Sequence, residues 1–217
     1  IDLDWEYPNE ASEAQNFEKL TSELSDLLHA KNKLLTAAVV ADATGSGANG
    51  YTANAIADLD YINIMSYDMA VNDHAQIDQA KAALDSWLTK GVPADKLVFG
   101  LPFYGRTGSS WGAANAGYNG FEALEALGAS STENTLSEGG NTWYYDGVHN
   151  LQDKTVYAQD NARGVMIWEI SQDNAEDDLM NAVYDASMGT IYPTGSVTTP
   201  TATPTITPTV TPTFLPL

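Results

Sequence analysis

From Ile1 to Glu6 apolar and acidic residues alternate, Ile1, Leu3 and Trp5 against Asp2, Asp4 and Glu6. That period of two places successive side chains on opposite faces of a strand, and Tyr7-Pro8 ends it. The spacing then changes. Phe17, Leu20, Leu24 and Leu27/Leu28 recur every three or four residues, as on the apolar stripe of an amphipathic helix. LLTAAVVA (34–41) and YINIMSY (61–67) are nearly continuous apolar runs, the pattern of strands covered on both faces. A Gly/Ala/Asn-rich loop and the short segment NAIADL separate them. QIDQAKAALDSWLTKG reads as a helix closed by Gly91 as a left-handed cap. KLVFGLPFYG (96–105) is the next strand and its exit, LQDKTVYAQDNA a helix, and GVMIWEI (164–170) a last strand. AEDDLMNAVYDA carries acids in its first turn, where the helix dipole favours them. Between the fourth strand and the last, 107–150 is rich in Gly and aromatics with weak periodicity, an insertion or a long loop excursion.

After Ile191 the composition shifts. Residues 191–217 carry no charge, and Pro200, Pro204, Pro208, Pro212 and Pro216 recur every fourth residue. Such a tract builds neither a core nor a regular ladder, and reads as an extended, polyproline-II-biased Thr/Pro linker. It is either a tail or the tether of a further module. Upstream, five candidate strands in a strand–helix rhythm predict an α/β fold. A doubly wound sheet and the later part of an eight-stranded barrel both fit this rhythm.

The 217 residues carry 29 acids against 9 Lys plus Arg, a formal charge of -20. This disfavours nucleic acid and anionic membranes, which select for basic patches, and suits an enzyme acting on a neutral polymer. Cysteine is absent, which excludes disulfides and thiol chemistry. No apolar run reaches membrane-spanning length. His29, His74 and His149 lack the spacing of a metal site, and GSGANG lacks the GK[ST] of a phosphate loop.

Chemistry gathers at the strand ends, in DLDWEY, MSYD and MIWEISQD. In a βα barrel the active site is assembled from such C-terminal ends. Three acids on one strand face, roughly 6.6 Å apart by strand geometry, repel one another and raise at least one pKa. Glu6, the outermost, is the natural general acid. A hydrated acidic edge strand is the competing reading, but Ile1, Leu3 and Trp5 call for burial on the opposite face. Trp5 and Trp87 read as core, and Asp160, Asp173, Asp177 and Asp178 as solvated helix-end charge. Trp111, Trp143, Tyr144 and Tyr145 read equally as sugar platforms or as a small core for the 107–150 region.

DLDWEYP resembles the signature of glycoside hydrolase family 18, the chitinases and related endo-β-N-acetylglucosaminidases. Of the pattern D-x-x-D-x-D-x-E this chain holds the last three acids, Asp2, Asp4 and Glu6. NIMSYDM resembles the family's sixth strand, LPFYGR its seventh and GVMIWEISQD its eighth, in the right order. The resemblance implies the C-terminal portion of a TIM (β/α)8 barrel, about five of eight strands, with a short insertion before the last strand. It also implies a partial catalytic domain over 1–190, with 107–150 in the place of the family's small α+β insertion, and truncation before Ile1. An open sheet of this kind is expected to be poorly stable and weakly active or inactive by itself.

Carried onto this chain, the family's catalytic roles fall to Glu6, Asp4, Asp2 and Tyr67. Glu6 protonates the glycosidic oxygen and then activates water. Asp4 orients the substrate's acetamido group, sharing charge with Asp2, and the Tyr67 hydroxyl bonds the acetamido carbonyl. Met65, Asp68, Tyr104, Arg106 and Trp168 would contact substrate, Trp168 as the floor of the subsite before the scissile bond. An ion pair is an alternative use of Arg106. The implied activity is retaining, substrate-assisted hydrolysis of β-1,4-linked N-acetylglucosamine polymers, needing no metal or cofactor. Chitin or N-acetylglucosamine oligosaccharides would be the partners, with a C-terminal carbohydrate-binding module beyond the linker, and the location extracellular. The alternatives are an endo-β-N-acetylglucosaminidase acting on N-glycans and a non-catalytic, chitin-binding lectin-like protein.

Overall fold

The structure, a computed structural model, describes residues 1–70, 73–107 and 117–191. Trp111 and almost all of the Thr/Pro tract lie outside them. The chain runs through β1 (Asp2–Leu3), α1 (Ala11–His29), β2 (Thr36–Val40), α2 (Ala53–Asp58), β3 (Tyr61–Met65) and α3 (Ile77–Thr89). It continues through β4 (Leu97–Pro102), β5 (Tyr104–Thr107), β6 (Gly117–Gly120), α4 (Phe121–Glu125), β7 (Thr135–Glu138) and β8 (Asn141–Tyr144). Last come α5 (Val148–Asn161), β9 (Gly164–Trp168) and α6 (Asp178–Ser187).

The main sheet has the order β1-β2-β3-β4-β9, every pair parallel. Successive strands lie side by side in chain order, so the sheet winds in one direction and all its C-terminal ends share one rim. Doubly wound sheets reverse direction at a switch point; this one does not. Ile62, Ile64, Leu97 and Phe99 point into a core closed by Phe17, Tyr51, Ala80, Leu84 and Trp87. Trp87 is fully buried there, and its indole N–H donates to the carbonyls of Val40 and Ala41, both at 3.1 Å.

Several elements depart from the periodicity. β1 is only two residues long, because its ladder is limited to Asp2↔Thr36 and Leu3↔Ala37. The alternation nonetheless persists to Glu6: Asp2, Asp4 and Glu6 are exposed while Leu3 and Trp5 pack on the core. Ile1, expected to be buried, is 63% exposed. On α1 the buried residues are Phe17, Thr21 and Ser25, one every four positions, while Leu20 and Leu27 face out. The Thr21 hydroxyl is satisfied in its buried position by donating to the Glu18 carbonyl at 3.0 Å. The run 96–105 is not one strand. It breaks at Phe103, after which β5 leaves the main sheet for a second, antiparallel one of order β6-β5-β8-β7. Trp143 in β8 and Tyr145 just beyond it are buried, as core residues rather than platforms, while Tyr144 is half-buried.

Asp173 also differs from its expected place on a solvated helix end. It is buried and accepts the backbone N–H groups of Asn174, Leu179 and Met180 at 2.9, 3.1 and 2.7 Å, fixing the entry to α6. Among the described residues no helix is long and apolar enough to cross a membrane.

Candidate active site

The C-terminal rim of the main sheet opens into a cleft of about 790 Å³, within the usual range for small-molecule sites. Asp2, Asp4, Glu6 and Tyr7 enter it from the first segment, and Asn63, Met65, Tyr67 and Asp68 from β3 and its exit. Tyr104 and Arg106 come from β5, Tyr118 from β6, and Met166 and Trp168 from β9. All nine residues singled out from the sequence therefore line one cavity, although they span most of the chain.

Each acid has its own surroundings. Asp2 is the innermost, accepting the Thr36 hydroxyl at 2.5 Å and the Asn63 amide at 2.9 Å on the same oxygen, Oδ1. Asp4, one pleat further out, has its carboxyl pushed up by partial burial, then by the charges of Glu6 and Asp2. That is the outcome expected of stacked carboxylates, and it falls on the middle acid. Glu6 lies at the end of the row beside Tyr7, whose phenol is pushed well up by burial first and by the Glu6 carboxylate next. The peptide bond Glu6–Tyr7 is cis, as is Trp168–Glu169. Behind the row the Tyr51 hydroxyl donates to the Trp5 carbonyl at 3.1 Å, and Trp5 packs edge-on against Phe17.

Tyr67 is buried with its hydroxyl 3.8 Å from the Met166 sulfur. Burial, then the charges of Asp4 and Asp68, push its pKa well up, so the phenol stays a neutral donor. Room for the ring is made by Gly100, where a Cβ would stand 2.9 Å from Tyr67 Cε1 and 2.3 Å from the Ile64 carbonyl oxygen. Trp168 ends β9 with 49% of its surface open, the disposition of a ring available to a ligand.

Asp68 and Arg106 are bound to each other. Arg106 Nε donates to Oδ1 at 3.0 Å and a terminal nitrogen to Oδ2 at 2.5 Å, the bidentate geometry that makes such pairs strong. Burial alone would raise the Asp68 carboxyl, but the groups that face it, His74, Arg106 and Tyr104, outweigh burial and hold it at about 2. The ion-pair alternative for Arg106 is thus realised, and in the cleft itself. The guanidinium also lies over Tyr104 and Tyr118, 5.6 and 4.8 Å from their ring centroids.

A model of the family described as Glycosyl hydrolases family 18 matches residues 1–173. The chain belongs to glycosyl hydrolases family 18. Chitinase 63 of Streptomyces plicatus is 29% identical, over 84% of this chain and 37% of its own length. Among solved structures, the family 18 chitinase ChiB of Flavobacterium johnsoniae superposes with a TM-score of 0.71 at 26% identity, covering 86% of this chain and 59% of its own. The chitinase-like agglutinin of Robinia pseudoacacia superposes equally well, with a TM-score of 0.71 at 25% identity, over 85% of this chain and 66% of its own. The chain spans less than half the length of such curated family 18 relatives.

Within this family 18 cleft, several lining residues escaped the sequence reading. Asn63 was accessible to it, since the β3 alternation that selects Met65 also selects the residue two before. Tyr7 reads in the sequence only as a strand terminator. Tyr118 lies in a Gly-rich stretch without periodicity, and it reaches the cleft because β6 pairs with β5 through Arg106↔Tyr118. Its hydroxyl accepts the Gln172 side-chain amide at 2.7 Å. His74, fully buried behind the cleft rather than lining it, is six residues beyond Asp68 and carries no motif.

Proposed function

We propose that this chain carries the catalytic centre of a secreted, endo-acting chitinase, hydrolysing β-1,4 bonds between N-acetylglucosamine units with retention of configuration. One observation carries it: Asp2, Asp4 and Glu6 form a row on one wall of a cleft whose adjoining walls hold Tyr67 and Trp168. Family membership and the naming of relatives as chitinases support it. In this reading residues 1–190 are the C-terminal portion of a TIM barrel, five strands of eight, 107–150 its insertion, and 191–217 a linker toward a carbohydrate-binding module.

Family 18 is an exception to the two-carboxylate scheme, with the substrate's own 2-acetamido group as nucleophile. As the acetamido oxygen bonds to the anomeric carbon, the glycosidic C–O bond breaks and Glu6 gives its proton to the departing oxygen. Positive charge spreads over the resulting oxazolinium ring. The Asp4 carboxylate beside it stabilises that charge, and Tyr67 donates to the acetamido oxygen and holds it in line. Water then attacks the same carbon, Glu6 takes its proton, and the ring reopens. Asp2, held by Thr36 and Asn63, keeps a negative charge beneath Asp4. These steps call on no metal or cofactor.

The likeness to an agglutinin favours, as a second reading, sugar binding without hydrolysis. Glu6 in the cleft argues for hydrolysis. Incubating the chain with N-acetylglucosamine oligomers, chitosan oligomers and a glycoprotein carrying N-glycans tests the proposal. Cleavage of the N-acetylated oligomers alone is expected. Glycan release without oligomer cleavage would favour the endo-β-N-acetylglucosaminidase alternative, and binding without cleavage by a chain that unfolds cooperatively would favour the lectin.

A further inference from the structure

The loop that follows β3 carries a buried histidine that the chemistry above does not use. His74 is fully buried, and its ring stacks on Tyr104 with centroids 4.9 Å apart at 28°. Its Nδ1 lies 3.2 Å from Asp68 Oδ1 and 3.3 Å from the Asp68 backbone nitrogen. A ring nitrogen cannot donate to the carboxylate and accept from the amide at once, so the ring's protonation decides which bond forms. Nε2 is buried without a hydrogen-bond partner among the described residues, which costs stability. A phenyl ring could stack on Tyr104 in the same place without that cost. What the imidazole adds is its contact with Asp68.

Asp68 needs holding from outside. Its φ is 55°, a left-handed conformation uncommon for a residue with a side chain. Arg106 grips the carboxylate from the cleft, and His74 meets it from the protein interior. The Met69 amide donates to the His74 carbonyl at 2.9 Å, closing the loop on itself. Behind the imidazole, Lys154 bonds the Ala75 carbonyl and pairs with Asp146. The charged and titratable groups around His74 are thus Asp68, Tyr104 and Arg106 in front, with Asp73, Asp146 and Lys154 behind.

We propose that His74 is a positioning residue: donating from Nδ1, it fixes the Asp68 carboxylate and so sets the orientation in which the Asp68–Arg106 pair meets the sugar. The proposal rests on the reading of Asp68 as a substrate contact.

Two variants of the full chain test it. H74F keeps the ring volume and the stack on Tyr104 but has no nitrogen, whereas H74N offers an amide nitrogen near the place of Nδ1. On the N-acetylglucosamine tetramer, H74F should lose about tenfold in kcat/KM, the worth of one charge-assisted hydrogen bond. H74N should recover most of that loss even if it melts lower than H74F. A packing role alone gives the reverse order, with H74F the more active, and would overturn the proposal. A second readout needs no turnover: the 13C signal of the Asp68 carboxyl, followed against pH. Removing a bond to the ionised form must raise the titration midpoint in H74F, and an unchanged midpoint would overturn the proposal. Should the wild type cleave nothing, the proposed function fails while this titration still decides the role of His74. Should H74F not fold, the 15N signal of His74 Nδ1 decides it. That signal must differ between wild type and D68N at neutral pH, and identical signals count against the proposal.

Discussion

A Cβ on Gly100 would stand 2.9 Å from Tyr67 Cε1, and the closest backbone atom, the Ile64 carbonyl oxygen, would be 2.3 Å away. The buried phenol of the cleft therefore owes its place to a missing side chain on the neighbouring strand. Ile64 lies in β3 beside β4, so its carbonyl cannot retreat without disturbing the parallel ladder. Gly100→Ala is expected to destabilise the fold by about 1–3 kcal/mol, the usual range for overpacking. It should also lower kcat more than binding, since Tyr67 is the group displaced. Denaturant melts beside steady-state kinetics check both.

Asp4 is a carboxyl held in an unfavourable place. Its folded-state pKa is raised, by partial burial first and by Glu6 and Asp2 next, so ionising it opposes folding. The sign follows: the penalty is absent below the unfolded-state pKa, grows as pH rises through the raised folded value, and is complete at neutrality. Asp4→Asn should stabilise the chain at pH 7 by no more than about 1 kcal/mol, because much of the carboxyl is in water. The gain should fade below about pH 4. Hydrolysis should be lost in the same variant. Melting curves at pH 7 and pH 3.5, with assays at pH 7, test the pairing of greater stability with lost function.

Trp143 and Trp168 separate packing from binding. Trp143 is 8% exposed within the core that the two sheets share, and Trp168 is 49% exposed at the cleft. Trp143→Ala should cost about 3–5 kcal/mol of stability, the range for a buried large aromatic. Trp168→Ala should leave melting nearly unchanged and weaken oligosaccharide binding at least tenfold. Calorimetric titration with the N-acetylglucosamine tetramer, beside thermal melts, distinguishes the two.

The parallel strands were legible because β2, β3, β4 and β9 are short apolar runs between turn signals. β2 and β4 are indeed buried on both faces, whereas only Ile62 and Ile64 of β3 are buried and β9 is no more than half-buried, because Asn63, Met65, Met166 and Trp168 line the cleft. The acid row was legible because alternation fixes which residues share a face, and Asp2, Asp4 and Glu6 keep that face even where the ladder stops at Leu3. α1 was legible as a helix but not in its facing, since Thr21 and Ser25 take buried positions that a hydrophobic count assigns to Leu20 and Leu27. The antiparallel sheet was not legible: its strands are four residues long, and their burial, from nearly complete in β5 to mostly exposed in β7, imposes no common period. The network at Asp68 joins Arg106 and Tyr104 to a histidine on the loop. It forms only when β5 leaves the main sheet and passes over that loop, and nothing local in MSYD or LPFYGR encodes the crossing.

The central claim is that Glu6 moves the proton while the substrate supplies its own nucleophile. Glu6→Gln keeps the side chain's size and hydrogen-bonding reach but removes the acid. The direct measurement is turnover of the N-acetylglucosamine tetramer by this variant, beside its affinity for the same sugar by calorimetry. Turnover reduced at least a thousandfold, with affinity within a few-fold of the wild type, is the predicted result, in line with the usual worth of a positioned general acid and its dual use as base. Turnover close to that of the wild type would contradict the assignment of Glu6 and the mechanism built on it.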